Sequence, residues 1–372
     1  MFEDHSTCLV VPWPSRGVPR ATTLVINGII GVFFTLAFLA GSYRDGTLLM
    51  LGRSFGLLQH PAIWIFVIAQ VSVPIVVSRG IATFASLDKT VGLPLTDEFI
   101  ATQFAPVREF FFDMLNRSEG RSRRTFDILL LLGLGFWAWN TFQNLRIGGR
   151  PHFDFWDSAE HFWGYWLTRG YKLYIWLVVT PCAVHAQLCI IRALRRILRA
   201  ANASAALVLD PYHPDDAGGT RSFIDAALLP MFALVIPAVL LTTAATWVHG
   251  GFDVTTVGSI AATLILFALV YFYPAASLRR AIVAEKQRQK RKISGLQRSL
   301  YEALLREQPV AATLKDPTSV LLSLSSVAKQ VDSLPNWPQL ARVIQAAVLF
   351  LGSPVIAPLI KDVTGQVQKW LS

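Results

Sequence analysis

Acidic side chains and a histidine are gathered in the stretch 210-DPYHPDDAGGTRSFID-225, which lies between two long apolar runs. Carboxylate oxygens with one imidazole suit a divalent cation or a titrating sensor, and the candidate ligands are Asp210, His213, Asp215 and Asp216. A structural clamp, in which the carboxylates cap helix N-termini or pair with arginines, is a second interpretation. A hydrolytic centre is the third, and the sequence leaves all three open.

A hinge is predicted at Gly218 and Gly219, because glycine supplies the backbone freedom that a sharp reversal requires. The expected partners of the acidic side chains lie on the preceding helix, where arginines recur at spacings of three and four. These arginines are Arg192, Arg195, Arg196 and Arg199. An acidic loop beside such a basic stripe predicts ion pairs.

A second polar set falls inside an apolar run, in 180-TPCAVHAQLC-189. Pro181 frees a backbone carbonyl one turn earlier, His185 lies four residues on, near the same helix face, and Gln187 lies beyond it. Polar groups are costly inside a bilayer, which makes each a functional candidate. His185 is therefore either a titrating or pathway-lining group beside a proline kink, or a neutral histidine hydrogen-bonded to a neighbouring helix.

The segment 151–176 is crowded with Trp, Tyr and Phe, which prefer the membrane–water boundary. We predict an interfacial helix on the outer leaflet, with a substrate-stacking platform as the alternative. Its ionisable residues could gather a cation, although they follow no fixed ligand spacing. They are His152, Asp154, Asp157, Glu160 and His161.

The composition indicates that these groups are positioned by membrane helices. Hydrophobic residues make up 53% of the 372 residues and charged ones 16%, whereas about 25% charged residues are usual in soluble domains. The apolar residues form blocks of about 20, the length that crosses a hydrocarbon core as a helix. We predict an all-α fold, a polytopic transmembrane helix bundle with six spans at 23–42, 57–78, 126–145, 172–193, 223–248 and 256–277.

Basic residues cluster in the loop 79–124, in the loop 192–221 and after residue 278, and the net charge is +10. The positive-inside rule assigns these segments to the cytoplasm, together with both termini. The charge then faces anionic lipid headgroups, so membrane lipids are the expected partners and nucleic acid is not. A homo-oligomer is natural if one bundle is too small to enclose a pore.

Three domains follow from this pattern: a transmembrane domain (1–278), a basic helical cytoplasmic segment (279–336) and an apolar C-terminal element (337–372). Pro354 and Pro358 divide the apolar run of the last element, which favours a hairpin or re-entrant structure over a full crossing. In the inner loop, 96–115 is predicted to be an amphipathic helix with Thr96 as its N-cap and a bend at Pro106.

Several motifs of familiar enzymes are missing, including GxxxxGK[ST], GxGxxG, HExxH and CxxC. The three cysteines form no even disulfide framework. We therefore expect no cofactor, and a non-enzymatic function is favoured.

The residues His213-Pro214-Asp215-Asp216-Ala217-Gly218-Gly219, followed by Phe223 and an apolar run, resemble an HPD-x-AGG loop. This loop precedes the fifth span in a family of uncharacterised bacterial multi-pass inner-membrane proteins. The resemblance implies a bacterial inner-membrane location and carries no established activity. Thr220, Arg221 and Ser222 depart from the apolar continuation usual in that family.

Three hypotheses for the function remain. The first is a channel- or transporter-like protein whose loop 210–219 acts as a cytoplasmic gate or sensor. The second is a signalling or membrane-perturbing effector that acts through the basic tail and the C-terminal apolar element. The third is an enzyme that acts on lipid at the inner face.

Overall fold

The computed structural model describes residues 20–50, 56–90, 93–117, 120–147, 156–213, 218–223, 225–227, 240, 254–305 and 317–335. Within these ranges the regular elements are helices, and extended residues pair only in an isolated antiparallel bridge between Leu95 and Leu207. The predicted all-α class is confirmed for this part of the chain. Asp215, Asp216 and the C-terminal element 337–372 lie outside the described residues.

The long helices are numbered here in chain order. They are α1 (Arg20–Arg44), α2 (Pro61–Ala85), α3 (97–115), α4 (Gly120–Ile147), α5 (Phe162–Ala203), α6 (Val254–Leu305) and α7 (Pro317–Ser333).

Two of these helices contain a π-helical turn just before a proline. In α3 the turn is Ile100–Phe104, ahead of Pro106, and in α5 it is Ile175–Val179, ahead of Pro181. Proline has no N–H, so a carbonyl one turn earlier loses its usual donor and the helix widens locally. The bend predicted at Pro106 stays a prediction, and what the structure shows there is the π-helical turn.

Among the described residues, three helices are long and apolar enough to cross a membrane, judged by length and composition: Val25–Arg44, Ile63–Ala85 and Phe162–Ala203. They correspond to the predicted spans 23–42, 57–78 and 172–193. The predicted spans 126–145 and 256–277 lie within α4 and α6, which are not among the three, and most of 223–248 lies outside the described residues. The count of six spans stays a prediction.

Residues 162–176 of the aromatic segment are continuous with the next predicted span and do not form a separate helix, and their predicted interfacial position stays a prediction. Residues 162–171 are the beginning of α5, which has 42 residues and is about 63 Å long, roughly twice the thickness of a hydrocarbon core. Packing explains the difference, because Tyr171 is fully buried between Phe34 and Phe38 of α1, with ring centroids 4.6 and 5.2 Å away. Hydropathy cannot distinguish such a buried aromatic residue from one at a lipid interface.

Helix α5 is central and packs against α1, α2, α3, α4 and α6. Its buried side includes Ala183, Ala186 and Ala193, small residues that let the neighbouring helices approach closely. We name the two ends of the bundle after residues near them. The Asp157 end contains the C-terminus of α1 and the N-termini of α2 and α5, and the Leu209 end contains the C-termini of α2 and α5.

The C-terminal helices continue from the bundle without a break at the predicted domain boundary. Helix α6 runs through residues 278 and 279, and α7 packs against it. Leu278, Ala281 and Ile282 of α6 belong to the same buried core as α5. The basic segment after 278 is thus helical over 279–305, as predicted, and its first turns are part of the bundle.

Candidate functional site

A buried group of charged side chains lies at the Asp157 end. Arg169 Nη1 lies 3.6 Å from Asp157 Oδ2, and Lys172 Nζ lies 3.9 Å from the same oxygen. The side chains are largely buried: Arg169 is 4% exposed, Lys172 16% and Asp157 13%. One carboxylate is therefore shared by two cations, at distances longer than the 2.7–2.9 Å of charge-assisted hydrogen bonds.

Helical spacing and aromatic packing bring these residues together. Arg169 and Lys172 are three residues apart on α5 and so lie on one face. Asp157 is held in the preceding turn by Trp156, whose fully buried ring contacts that of Phe38 at 5.5 Å. Gly164 lets this turn close, because a Cβ there would lie 2.0 Å from the Trp156 carbonyl oxygen.

The positive surroundings keep Asp157 ionised. Burial raises the pKa of this carboxyl group, but the charges of Lys172, His60 and Arg169 outweigh that effect, so its pKa lies below the ordinary value of 3.8. Asp157 is therefore turned towards basic groups. His152 and Asp154 of the candidate cation-gathering set lie outside the described residues, so that hypothesis stays a prediction. The described residues contain no group of three potential metal ligands.

A string of buried polar side chains continues from this cluster between α1, α2 and α5. The Tyr171 hydroxyl donates to Gln70 Oε1 at 3.2 Å, and Gln70 Nε2 donates to the Asn27 carbonyl oxygen at 3.3 Å. Gln70 is fully buried and Asn27 is 1% exposed. Uncharged polar groups of the three candidate spans thus meet inside the bundle.

Several buried donors near the cluster have no hydrogen-bond partner in the described part of the chain. They are Arg169 Nε and Nη1, Thr168 Oγ1, Trp156 Nε1 and the Tyr174 hydroxyl. A buried donor left unpaired costs about 1–3 kcal/mol, so native proteins satisfy nearly all of them. These five atoms on α5 and the turn before it can accept a ligand, water or a residue outside the described ranges as a partner.

His185 joins three helices nearer the Leu209 end. Its Nε2 lies 3.1 Å from the carbonyl oxygen of Met114 on α3, and Ser122 Oγ on α4 lies 3.3 Å from the same nitrogen. Cys189 Sγ lies 3.6 Å from that nitrogen, and the Phe126 ring is edge-on at 5.4 Å. These are the contacts of a histidine that is hydrogen-bonded to neighbouring helices.

The other residues of the predicted His185 set are also packed against neighbouring segments. Gln187 Nε2 donates to the carbonyl oxygen of Ala227 at 2.7 Å. Pro181 follows the π-helical turn of α5, opposite Gly133 of α4. A Cβ on Gly133 would lie 2.1 Å from the carbonyl oxygen of Trp176, so the two helix backbones touch at this turn.

The loop that begins at Asp210 is described in part. Asp210 Oδ1 accepts the backbone N–H of Tyr212 at 2.9 Å, and the Asp210 carbonyl accepts that of His213 at 3.2 Å, which together make a side-chain-stabilised turn. Gly218 and Gly219 have φ angles of 67° and 86°, in the left-handed region that favours glycine. The proposed ligand set cannot be assembled from the described residues, because Asp215 and Asp216 lie outside them.

The described contacts of the arginine stripe lead to other helices. Arg192 Nη2 donates to Thr125 Oγ1 of α4 at 3.3 Å, and the Arg196 guanidinium lies 4.4 Å from the ring centre of Phe110 on α3. Arg195 lies near Arg199 and Arg280, whose positive charges act on it. The arginines thus connect α5 with the helices around it.

The segment before the glycines joins the bundle to its C-terminal helices at the Leu209 end. The Val208 N–H donates to the Pro94 carbonyl oxygen at 3.1 Å, which ties the segment to the residues before α3. The Leu209 carbonyl accepts Gln289 Nε2 of α6 at 3.0 Å. A Cβ on Gly218 would lie 3.3 Å from Leu334 Cδ1, so the glycine turn packs on the residue after α7.

Lys286 fixes α7 in this arrangement. Its ammonium group donates to the carbonyl oxygens of Asp332 and Leu334, at 3.1 and 2.5 Å. A cation at the C-terminus of a helix satisfies carbonyls that lack partners within the helix. Gln289, Lys286 and Leu334 were missed from the sequence, where they fall within or after a polar, basic run.

Comparison with family models, curated proteins and solved structures finds no match to this chain.

Proposed function

We propose that the chain is an integral protein of the bacterial inner membrane with a channel- or transporter-like function, and that the loop 210–219 is its cytoplasmic sensing or gating element. The observation that supports this best is the string of buried polar residues between α1, α2 and α5. Polar side chains inside a membrane bundle are retained where solutes or protons interact with the protein. The resemblance of the loop to the HPD-x-AGG family supports the location.

The exposed surface of the same helices suits lipid. Val25 and Ile29 of α1 and Ile68 of α2 are 57%, 62% and 65% exposed, whereas Asn27 and Gln70 on these helices are buried. Apolar side chains outside and polar ones inside are expected of a bundle whose solvent is hydrocarbon. Exposed Arg279 and Arg280 of α6 suit anionic headgroups at the cytoplasmic side.

The contacts of the glycine turn support the role of the loop. Leu209 and Gly218 touch α6 and the end of α7, and the segment 206–208 pairs with the residues before α3. A movement of α7 would thus be transmitted to two other elements. Gly218 and Gly219 supply the conformational freedom for such a movement.

The test is flux through the purified full chain in sealed liposomes. Inward movement of protons, potassium, chloride, acetate and phosphate is compared with that in protein-free liposomes. Gln70→Leu replaces the amide that links Tyr171 to Asn27, and we expect it to abolish flux. Thr35→Val is the matched control, because the Thr35 hydroxyl donates to the Gly31 carbonyl of its own helix and, within the described ranges, links it to no other helix. Wild-type liposomes that pass none of these solutes would contradict the proposal.

A signalling or membrane-perturbing effector is the second candidate function, and the attachment of α7 to the loop favours it. An effector would act through the C-terminal region and would tolerate changes within the bundle. Growth after induced expression distinguishes the two. Deletion of 317–372 should relieve growth inhibition by an effector, whereas Gln70→Leu should leave that inhibition unchanged.

A further inference from the structure

We propose that the Asp157 end holds a binding site for a small oxyanion, a carboxylate or a phosphate group, in which Arg169 and Lys172 bind the ligand and Asp157 is the resident counter-ion. The proposal of a binding site depends only on the geometry of these residues. The further statement that the ligand is the transported solute rests on the proposed function.

The first reason is the charge of the cluster. Arg169 and Lys172 contribute two positive charges and Asp157 one negative charge, and the side chains of all three are at most 16% exposed. His60 is the further basic group whose charge acts on Asp157. Among the described residues of the cluster the balance is therefore positive, and a buried excess of positive charge is costly unless an anion compensates it.

The second reason is the set of unused donors. Arg169 is 3% exposed, and two of its three guanidinium nitrogens, Nε and Nη1, have no hydrogen-bond partner within the described residues. Its contact with Asp157 is an ion pair at 3.6 Å, which leaves the hydrogen-bonding capacity unused. Thr168 Oγ1, from the residue before Arg169, is also a buried donor without a partner in the described chain.

The third reason concerns which anion fits. A guanidinium is planar and presents several N–H groups in a fixed geometry that matches the oxygens of carboxylate and phosphate. The ammonium of Lys172 adds a point charge on the same helix face. A halide would use the charge but not the planar arrangement of donors, so the site should prefer an oxyanion to chloride.

Asp157 has a specific role in this proposal. Its carboxylate has the chemistry of the ligand and lies between the two cations, so it competes for them. The ligand either displaces it or binds beside it on the free donors of Arg169. In both cases removal of its charge should strengthen binding, the opposite of what a merely structural ion pair predicts.

The experiment measures binding of acetate, inorganic phosphate and chloride to the purified full chain in detergent, by titration calorimetry. We expect saturable binding of acetate or phosphate that is at least about tenfold tighter than that of chloride, as hydrogen bonds to a charged group imply. Absence of oxyanion binding, or equal binding of chloride, would overturn the proposal.

Variants separate the site from the rest of the bundle. Arg169→Gln should weaken oxyanion binding by about tenfold or more, and Arg169→Lys should restore charge but not full affinity. Asp157→Asn should tighten oxyanion binding. This prediction can be tested even if the variants of the buried Arg169 fail to fold. Arg44→Gln is the matched control, because Arg44 lies over the Trp163 ring at 5.0 Å at the same end and touches none of the three residues. Weaker binding in Asp157→Asn, or unchanged binding in Arg169→Gln, would refute the site.

The outcomes also separate this site from the proposed function. Oxyanion binding without flux in liposomes would remove the transport function and keep the site. Flux without oxyanion binding would remove the site and keep the function. Flux of the bound oxyanion that is lost in Arg169→Gln but retained in Arg44→Gln would support both.

Discussion

The contact between α4 and α5 at Gly133 permits a sharp test of the described packing. The hydrogen of Gly133 that an alanine would replace with Cβ points at the Trp176 carbonyl oxygen, in the manner of a Cα–H···O contact between helices. Gly135 lies two residues further along the same helix, and a Cβ there would meet nothing within 4 Å. Gly133→Ala and Gly135→Ala therefore add the same atom to one helix, in a tight and an open place.

The expected difference follows from the distance. A Cβ on Gly133 would lie 2.1 Å from the oxygen, and real Cβ atoms essentially never come closer than 3.0 Å, so the helices must separate by about 0.9 Å. The atom in the way is a backbone carbonyl of α5 and cannot rotate aside. Overpacking of this kind costs about 1–3 kcal/mol. The gain in helix propensity of alanine over glycine, about 1 kcal/mol, is common to both variants and cancels.

The assay is unfolding of the detergent-solubilised full chain, followed by circular dichroism during titration with a denaturing detergent. Gly133→Ala should be less stable than Gly135→Ala by about 1–3 kcal/mol. Equal stability of the two variants would show that α4 does not cross α5 at Trp176, and would refute the packing of these helices.

Three further predictions concern the two ends of the bundle. Lys286→Met should lower the free energy of unfolding by about 1.5–3 kcal/mol, because a charged donor to two carbonyls is lost. It should also make Pro317–Ser333 sensitive to protease. Lys290→Met removes an exposed ion pair with Asp332 and should lower the free energy of unfolding by at most about 1 kcal/mol. Equal protease sensitivity of the two variants would contradict the role of Lys286. Gly218→Ala and Gly46→Ala should each lower the free energy of unfolding by roughly 1–2 kcal/mol, because both glycines have positive φ. Only Gly218→Ala should also release α7, and protection of α7 in that variant would contradict its contact with Leu334. The lowered pKa of Asp157 means that its ionised form stabilises the fold above pH 3.8 and that this contribution is lost as pH falls through the folded-state pKa. Asp157→Asn should reduce the dependence of the unfolding midpoint on pH in the acid range. An unchanged dependence would show that groups other than Asp157 cause it.

The sequence predicted those features that depend on local pattern. The helices α1, α2 and α5 follow from apolar runs of about 20 residues. The glycine hinge follows from Gly218 and Gly219, because left-handed backbone is a property of single residues. Such features need no knowledge of what lies beside them in space.

Features that depend on distant contacts were missed. Lys286 and Leu334 meet across the connection between α6 and α7, and neither residue type signals a partner. The burial of Tyr171 was missed because Trp and Tyr are also common at membrane interfaces. In the structure Tyr171 is buried by Phe34 and Phe38, which lie on another helix.

Helix α5 shows why the cluster at Asp157 could not be found by counting charge. Its C-terminal half carries Arg192 and Arg196, which contact a hydroxyl group and a ring face on neighbouring helices and retain exposure to solvent. Its N-terminal half carries Arg169, which is 3% exposed. The positive-inside rule treats all three alike and uses their number to orient the chain. The informative property is position, because Arg169 and Lys172 lie three residues apart on one face, away from the basic stripe and among aromatic residues. A pair of cations with that spacing in the apolar, aromatic half of a helix must find negative charge inside the protein or bind it from outside.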